Sequence, residues 1–286
     1  MKPAKAVTHI IHALPVLPFL LLALLFLFLP MVSMVVKSFV VPGVAGYSIR
    51  NYIDIFTQRT TLACIRNSLY LSFLSAFIGL FISFVAALSV TRITDKGKGR
   101  YLSFLNMFSN FAGLPLAYAF MFMVGNAGIF TLILRVFNID LVKSFNLYSS
   151  NGILVLFVYF QIPLGTLLMF PAFQAIRPEW REAAELMRAS GIQFWWRVGL
   201  PALIPSLAGT FGMLFANALT AYATPFMLMS TNFPLLPIKI TSMYTGEMAP
   251  QPEMGSALSL VMVAIMLSVI GLCNLFRTVF YKGGYK

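Results

Sequence analysis

Long uninterrupted apolar stretches constrain this chain more than any other feature of its sequence. The 286 residues are 59% hydrophobic and only 10% charged, whereas soluble domains carry about 25% charged residues. A helix of about 20 apolar residues crosses a bilayer core, and six stretches long enough to do so cover residues 12–36, 64–91, 101–124, 151–175, 202–230 and 255–280. The sequence therefore predicts an all-α integral membrane protein, with residues 1–286 forming a single transmembrane domain of six transmembrane helices.

The basic residues are distributed unequally between the two sides of the predicted membrane protein. Thirteen of the 20 Lys and Arg residues lie on the side that holds both termini, and seven lie on the other side. Because cytoplasmic loops carry the excess of positive charge, both termini are expected in the cytoplasm. The net charge of +12 is consistent with anionic lipid headgroups and is not interpreted as a nucleic-acid footprint.

The residue constellations of an enzyme are missing from the sequence. A phosphate-binding loop requires G-x-x-x-x-G-K-[ST], and Gly97-Lys98 lacks both the upstream glycine and the following hydroxyl. Cys64 and Cys273 lie at or inside apolar stretches, as structural thiols do, and His9 and His12 have no further ligand beside them. We expect no catalytic residue, no metal and no cofactor on this chain.

The position of the acidic residues bears on the mode of transport. All eight Asp and Glu residues fall in the predicted connections between spans, whereas proton-coupled transport usually needs an ionisable group at membrane depth. A secondary transporter or channel is the alternative function, and it should show an intramembrane acid or an internal repeat. A membrane-embedded enzyme is a further alternative, and it would need a catalytic cluster facing a cavity.

The segment REAAELMRASGIQFWWRVGLP, residues 181–201, is the longest polar interruption in the second half of the chain. Pro178 is well placed as a first helical residue, and the helix that follows is predicted to be amphipathic. Its apolar face is spaced at i, i+3, i+4 and i+7 and contains Trp180, Ala183, Ala184 and Met187. The opposite face is spaced for ion pairs and contains Arg181, Glu182, Glu185 and Arg188.

A second short helix is predicted after a turn. Gly191 is expected to end the first helix, because glycine tolerates the left-handed conformation of helix ends. The following run, residues 192–199, leads through Leu200-Pro201 into the fifth span. Judged on physics alone, a helix that only anchors the protein in the headgroups is an equal alternative. We expect an interfacial position rather than partner contact for the aromatic residues Phe194, Trp195 and Trp196.

The order of residues in this loop resembles a known motif. Glu182-Ala183-Ala184, with Leu200-Pro201 ending nineteen positions after the glutamate, resembles the EAA motif of binding-protein-dependent ABC importer permeases, which have a MetI-like fold. Arg188 departs from the pattern, because the family usually has glycine there. Either the first helix runs nearly one turn longer, or Arg188 is held in a turn at an energetic cost.

Two further segments resemble the same family. Asn67-Ser68-Leu69 and the small residues after it, as far as Arg92, resemble a second-span signature of these permeases. Residues 215–225, FANALTAYATP, resemble the fifth-span segment of the polyamine, 2-aminoethylphosphonate and thiamine branch. This resemblance implies transport of spermidine, putrescine or a related amino compound. A polycation conflicts with spans free of acids, so either a partner permease supplies negative charge or the solute is zwitterionic or anionic.

The resemblance also implies partners and residue roles. In this family two ATPase subunits bind ATP and Mg, a second permease completes the path as a related chain or a second copy, and an extracytoplasmic protein delivers the solute in the bacterial cytoplasmic membrane. The implied contact with the ATPase is residues 176–200, here called the coupling loop. Its implied coupling residues, with the proline that follows, are Trp180, Glu182, Ala183, Ala184, Met187, Arg188, Gly191, Leu200 and Pro201.

Candidates for the translocation path are polar or aromatic residues within the spans, near helix-breaking glycine or proline. Buried polar groups are costly in lipid unless they face partners or a cavity, and most are expected to bridge helices. Pro115, Pro163 and Pro225 are expected to bend their helices. The candidates are Tyr118, Tyr159, Gln161, Asn217, Thr220, Tyr222 and Thr224, with Asn106 and Asn110 beside them.

Overall fold

A computed structural model describes residues 17–43, 46–137, 145–230, 233–245 and 250–283 of the chain. Over these residues the regular structure is helical, and an isolated bridge joins Val40 and Tyr47. Two π-helical turns, Leu24–Phe28 and Trp195–Gly199, each join a pair of α-helices. The α-helices are α1 Leu17–Ala23, α2 Leu29–Ser38, α3 Arg50–Thr57, α4 Arg59–Thr91, α5 Asp95–Ser109, α6 Leu114–Val124, α7 Ile129–Val136, α8 Ser150–Gln174, α9 Pro178–Leu186, α10 Gly191–Phe194, α11 Leu200–Leu219, α12 Ala223–Met229, α13 Leu236–Thr245 and α14 Pro252–Gly283.

Six helical stretches among the described residues are long and apolar enough to cross a membrane. They are Pro18–Ser38, Arg59–Thr91, Leu114–Val136, Ser150–Gln174, Gly191–Leu219 and Pro252–Thr278. The predicted all-α fold class with six candidate transmembrane helices is therefore confirmed.

The predicted third and fifth spans, 101–124 and 202–230, are not continuous helices. The first of these stretches contains the end of α5 and all of α6, separated by residues 110–113. The second contains most of α11 and all of α12, separated by residues 220–222. Each new helix has a proline, Pro115 or Pro225, in its first turn, where the missing N–H would have no helical partner anyway. The apolar composition of a stretch does not show where a helix breaks within it.

The chain divides into two compact units, residues 1–59 with 240–262, and residues 60–239 with 263–286. In the first unit, the side chain of Asn51 in α3 holds the end of α2. Its Nδ2 donates to the backbone oxygens of Ser38 and Val40, both at 2.9 Å. The hydroxyl of Tyr52 donates to Ser38 Oγ at 2.8 Å.

The core of the second unit is built around α8, which packs against α5 and α11. Its buried side chains include Ile153, Leu156 and Phe157. Polar groups join α8 to α4 as well. Gln161 Nε2 donates to Ser75 Oγ at 2.7 Å, and Ser83 Oγ donates to the Ile162 oxygen at 3.0 Å.

Candidate functional site

The first helix of the coupling loop, α9, begins at Pro178 as the sequence predicts. Arg177 precedes it in extended conformation, as a residue before proline prefers. The helix PEWREAAEL is rich in strong helix formers, has Glu179 in its first turn, and ends at Leu186. Its nine residues form a short rod about 14 Å long.

Arg188 occupies a left-handed conformation in the turn that follows α9, with φ of 55°. The Arg188 N–H donates to the Glu185 oxygen at 2.9 Å, and the Ala189 N–H donates to the Ala184 oxygen at 2.9 Å. This pair of bonds is a Schellman motif, in which the left-handed residue is usually glycine. Of the two alternatives for Arg188, the turn is the one observed, and the longer helix is not.

Gly191 does not end the first helix, and this prediction is wrong. Gly191 is the first residue of α10, and Ser190 is its N-cap. The Ser190 hydroxyl accepts from the Gln193 N–H at 3.3 Å, while the Ser190 N–H donates to Gln193 Oε1 at 2.9 Å. This capping box satisfies free N–H groups at the start of α10, and the left-handed position that ends α9 is taken by Arg188.

Most of the predicted coupling residues in the loop are exposed, and Ala184 is the exception. Ala184 is only 5% exposed, whereas its neighbour Ala183 is exposed. Three apolar side chains in and beside the turn are exposed to solvent: Leu186 at 87%, Met187 at 76% and Ile192 at 73%. Leu186 and Ile192 were not among the predicted coupling residues, although apolar residues inside a polar loop are a signal of partner contact.

The remaining predicted coupling residues occupy the rim and the end of the loop. Trp180 and Glu182 are exposed. Leu200 is half-buried and Pro201 is exposed, in the first turn of α11. Arg181 Nε pairs with Glu185 Oε1 at 3.1 Å across one exposed turn of α9.

The two adjacent tryptophans lie in different surroundings. The Trp195 ring packs against Phe84 and Phe173, with ring centroids 6.5 and 6.2 Å away. Trp196 is 69% exposed. Phe194 is buried. Phe194 packs against Trp195, with ring centroids 6.0 Å apart, and its burial contradicts the expected interfacial contact. For Trp195 and Trp196 the interfacial position stays a prediction.

A second candidate site lies where two broken helices meet. Gly113 precedes α6 with φ of 73°, and its oxygen accepts from Thr224 Oγ1 of α12 at 3.1 Å. Helices α6 and α12 pack against each other. The break between α5 and α6 therefore lies beside the break between α11 and α12, at one level of the unit.

The predicted path residues divide into an exposed group and a buried or half-buried group. Tyr118, Asn217 and Thr220 are exposed, as are Asn106 and Asn110. Tyr159 and Tyr222 are half-buried and pack against Phe120 and Phe226, with ring centroids 5.2 and 5.0 Å away. Thr224 and Gln161 are buried, and both hydrogen-bond to another helix or break. The second group bridges elements of the fold, as most were expected to do.

Metal-ligating residues do not gather in either region. Within the described ranges, no group of three or more His, Cys, Asp or Glu side chains could hold a metal ion.

Residues 75–282 match the family of binding-protein-dependent transport system inner membrane components. The matched range includes the coupling loop and both helix breaks. Because it covers well over half of the chain, it shows the family.

Individual relatives are distant in sequence. The probable ABC transporter permease protein y4fN of Sinorhizobium fredii is 27% identical over 92% of this chain and 43% of its own length. The ferric transport system permease protein FbpB of Actinobacillus pleuropneumoniae is 26% identical, over 80% of this chain and 32% of its own. The sulfoquinovosyl glycerol transport system permease protein SmoH of Agrobacterium fabrum is 24% identical, over 78% and 73%. The chain thus spans about a third to two-fifths of the first two relatives.

Solved structures show the same fold. A bacterial ABC transporter involved in the import of the acidic polysaccharide alginate aligns with a TM-score of 0.75 at 16% identity, over 97% of this chain and 99% of that chain. The MetNI methionine ABC transporter aligns with a TM-score of 0.59 at 15% identity, over 78% of this chain and 99% of that chain. From the matched range and the six candidate spans together, we conclude that the chain belongs to the family of binding-protein-dependent transport system inner membrane components.

Proposed function

We propose that this chain is a permease subunit of an ATP-driven ABC importer in the bacterial cytoplasmic membrane. It pairs with a second permease, receives its solute from an extracytoplasmic binding protein, and docks two ATPase subunits that bind ATP and Mg. The observation that carries the proposal is the coupling loop, where a short helix and a closed turn hold apolar side chains open to solvent.

The coupling loop has the properties of a docking surface. Leu186, Met187 and Ile192 are apolar anchors of the kind that enter a groove of a partner. Charged groups such as Glu182 surround them at the rim, where polar contacts give specificity. Ala183 is open and small, so it permits close approach of the partner, whereas Ala184 packs within the chain itself.

Orientation follows from the same assignment. The loop must face the cytoplasm to meet an ATPase, and the excess of Lys and Arg on its side agrees with that placement. Both termini then lie in the cytoplasm as well.

The two helix breaks are proposed as the place where the solute passes. Asn106, Asn110, Asn217 and Thr220 are exposed polar residues in or beside otherwise apolar helices. Such groups are costly in lipid, so this face lies against a water-filled path or a second permease. Interrupted helices also leave backbone groups at their ends that a polar solute can contact.

The proposed solute is a small zwitterionic or anionic compound, such as an aminophosphonate. Among the described residues of the six candidate spans, Glu253 is the only acidic residue, and it lies in the first turn of α14. A polyamine needs more negative charge than this chain supplies. The relatives named above concern ferric iron and sulfoquinovosyl glycerol, and they give no support to the polyamine that the sequence resemblance implies.

The test of docking is co-purification of the tagged chain with its ATPase. Met187→Glu is expected to remove the ATPase from the complex, because it puts a charge where an apolar anchor enters the partner. Arg181→Gln is the matched control, since it changes only an exposed ion pair of the same helix. The proposal is wrong if the unchanged chain binds no ATPase, or if both variants retain it equally.

The test of the path is uptake by cells that express the complete system. Asn217→Leu is expected to reduce uptake while the ATPase still co-purifies, because it removes a polar contact and leaves the loop intact. Uptake of 2-aminoethylphosphonate but not spermidine would support the solute class, and the reverse result would restore the polyamine assignment.

A further inference from the structure

Two adjacent tryptophans of the coupling loop differ in what they touch. The Trp195 ring lies among Phe84 of α4, Phe173 of α8 and Phe194 of α10, with ring centroids 6.5, 6.2 and 6.0 Å away. Phe84 and Phe173 also pack on each other at 5.1 Å. The indole of Trp196 is 69% exposed. Trp195 therefore packs on rings of two membrane helices, whereas most of the Trp196 indole is exposed.

The backbone beside Trp195 is shaped to hold its ring. A Cβ atom placed on Gly199 would lie 2.6 Å from the Trp195 ring, so only glycine leaves room there. Residues 195–199 form a π-helical turn, a feature that is rare and often found at functional sites. The ring thus lies over the backbone of the next turn and has little freedom to shift.

Trp195 also lies at the junction of the loop with a span. Helical structure is continuous from Gly191 to Leu219, through α10, the π-helical turn and α11. By contrast, α9 is exposed over almost its whole length, and Ala184 is its buried residue. Displacement of the loop reaches the span helices through the segment that contains Trp195, and at the other end of the loop through Ile176, which packs against a cluster that includes Phe173 and Leu203.

We propose that Trp195 transmits movement of the coupling loop to α4 and α8, acting as a positioning residue with Phe84 and Phe173 as its contacts. This inference rests on the proposed function, since an ATPase must move the loop. Aromatic packing carries such a movement because close-packed groups transmit displacement and resist compression. Without the ring, α4 and α8 follow the movement of the loop less closely.

The experiment measures how the exposed face of α4 responds to ATP. Val85 is exposed on that helix, so Val85→Cys is combined with Cys64→Ser and Cys273→Ser to leave a single thiol in this chain. The complex with its ATPase is placed in liposomes. The rate of labelling by a membrane-impermeant maleimide is compared with and without ATP plus orthovanadate.

In this parent, ATP with orthovanadate is expected to change the labelling rate. Trp196→Ala should show the same change. Trp195→Ala should shrink the change by roughly fivefold or more, a usual size for coupling between sites, while the ATPase still binds and hydrolyses ATP. Equal responses in the two tryptophan variants would overturn the inference.

The remaining outcomes are also decisive. If the parent binds no ATPase, the proposed function fails together with the inference. If the parent binds the ATPase and hydrolyses ATP but its labelling rate does not change, the inference alone is overturned. If Trp195→Ala does not yield a folded complex, Gly199→Ala decides the question, because it displaces the ring without removing it. A full response in Gly199→Ala would then overturn the role of Trp195, and a reduced response with intact ATPase activity would support it.

Discussion

Among the described residues, two of the turns that contain a residue with positive φ hold different residue types. At the end of α9 that residue is Arg188, with φ of 55°. Before α6 it is Gly113, with φ of 73° and ψ of −137°. The first turn lies in an exposed loop, and the second lies between two apolar helices.

The backbone angles of Arg188 and Gly113 explain why the two turns hold different residues. Arg188 has the ordinary left-handed conformation, which costs a residue with Cβ about 1–2 kcal/mol. Its turn bonds are complete, and its side chain is exposed. The angles of Gly113 lie outside that ordinary left-handed region, where a residue with Cβ is more strained, and Ser230 after α12 takes similar angles, φ of 50° and ψ of −135°. The turn after α9 therefore holds a strained residue, whereas the turn before α6 has glycine.

The largest effect is expected from Gly113→Ala. The new side chain forces the backbone out of its conformation, so the variant should lose about 1–3 kcal/mol of stability. Thermal unfolding of the purified chain in detergent measures the loss. Gly209→Ala is the control, because nothing lies within 4 Å of that helical glycine. Equal melting temperatures for the two variants would contradict the interpretation that a side chain at position 113 strains the backbone.

The second prediction removes the bond between the two breaks. Thr224→Val keeps the shape of the side chain but loses the donor to the Gly113 oxygen. The variant should lose about 1 kcal/mol of the free energy of unfolding. Thr224→Ser retains the hydroxyl and should lie closer to the unchanged chain in the same unfolding measurement. A valine variant as stable as the serine variant would show that the bond contributes nothing.

The third prediction concerns the surface turn and has the opposite sign. Arg188→Gly relieves the left-handed strain and should stabilise the chain by about 0.5–1 kcal/mol, after the entropy that glycine loses on folding. Arg188→Ala keeps the strain and should change stability little. Failure of the glycine variant to assemble would mean that the arginine side chain has a required contact.

The smallest effect is expected from Glu185→Gln on α9. Both partners of the Arg181–Glu185 pair are exposed, at 70% and 64%, and such helix pairs contribute about 0.3–0.5 kcal/mol. The loss should disappear in high salt, which unfolding at two salt concentrations would show. A loss above about 1 kcal/mol would place the carboxylate in a contact beyond this pair.

Periodicity and composition predicted the elements that depend on local sequence. Long apolar stretches marked the six candidate spans, and Pro178 marked the start of α9. The same signals predicted continuous spans where the structure has helix breaks. In the sequence, Pro115 and Pro225, each in the first turn of a new helix, cannot be distinguished from Pro163, which lies within the continuous helix α8.

Side-chain contacts followed no local pattern. Ala183 and Ala184 look alike in the sequence, as do Trp195 and Trp196, yet one member of each pair is exposed and the other packs inside the chain. Likewise, nothing local links Gly113 to Thr224, which lie 111 positions apart.

The sequence alone determined that this chain is helical, crosses a membrane and contains a surface helix-turn-helix, because hydrophobic length and residue spacing act over a few turns. Only the tertiary structure decided that Arg188 takes the left-handed turn, that the two breaks meet, and that Trp195 contacts α4 and α8. The last two depend on which distant segments pack together, and the conformation of Arg188 on which backbone hydrogen bonds close the turn.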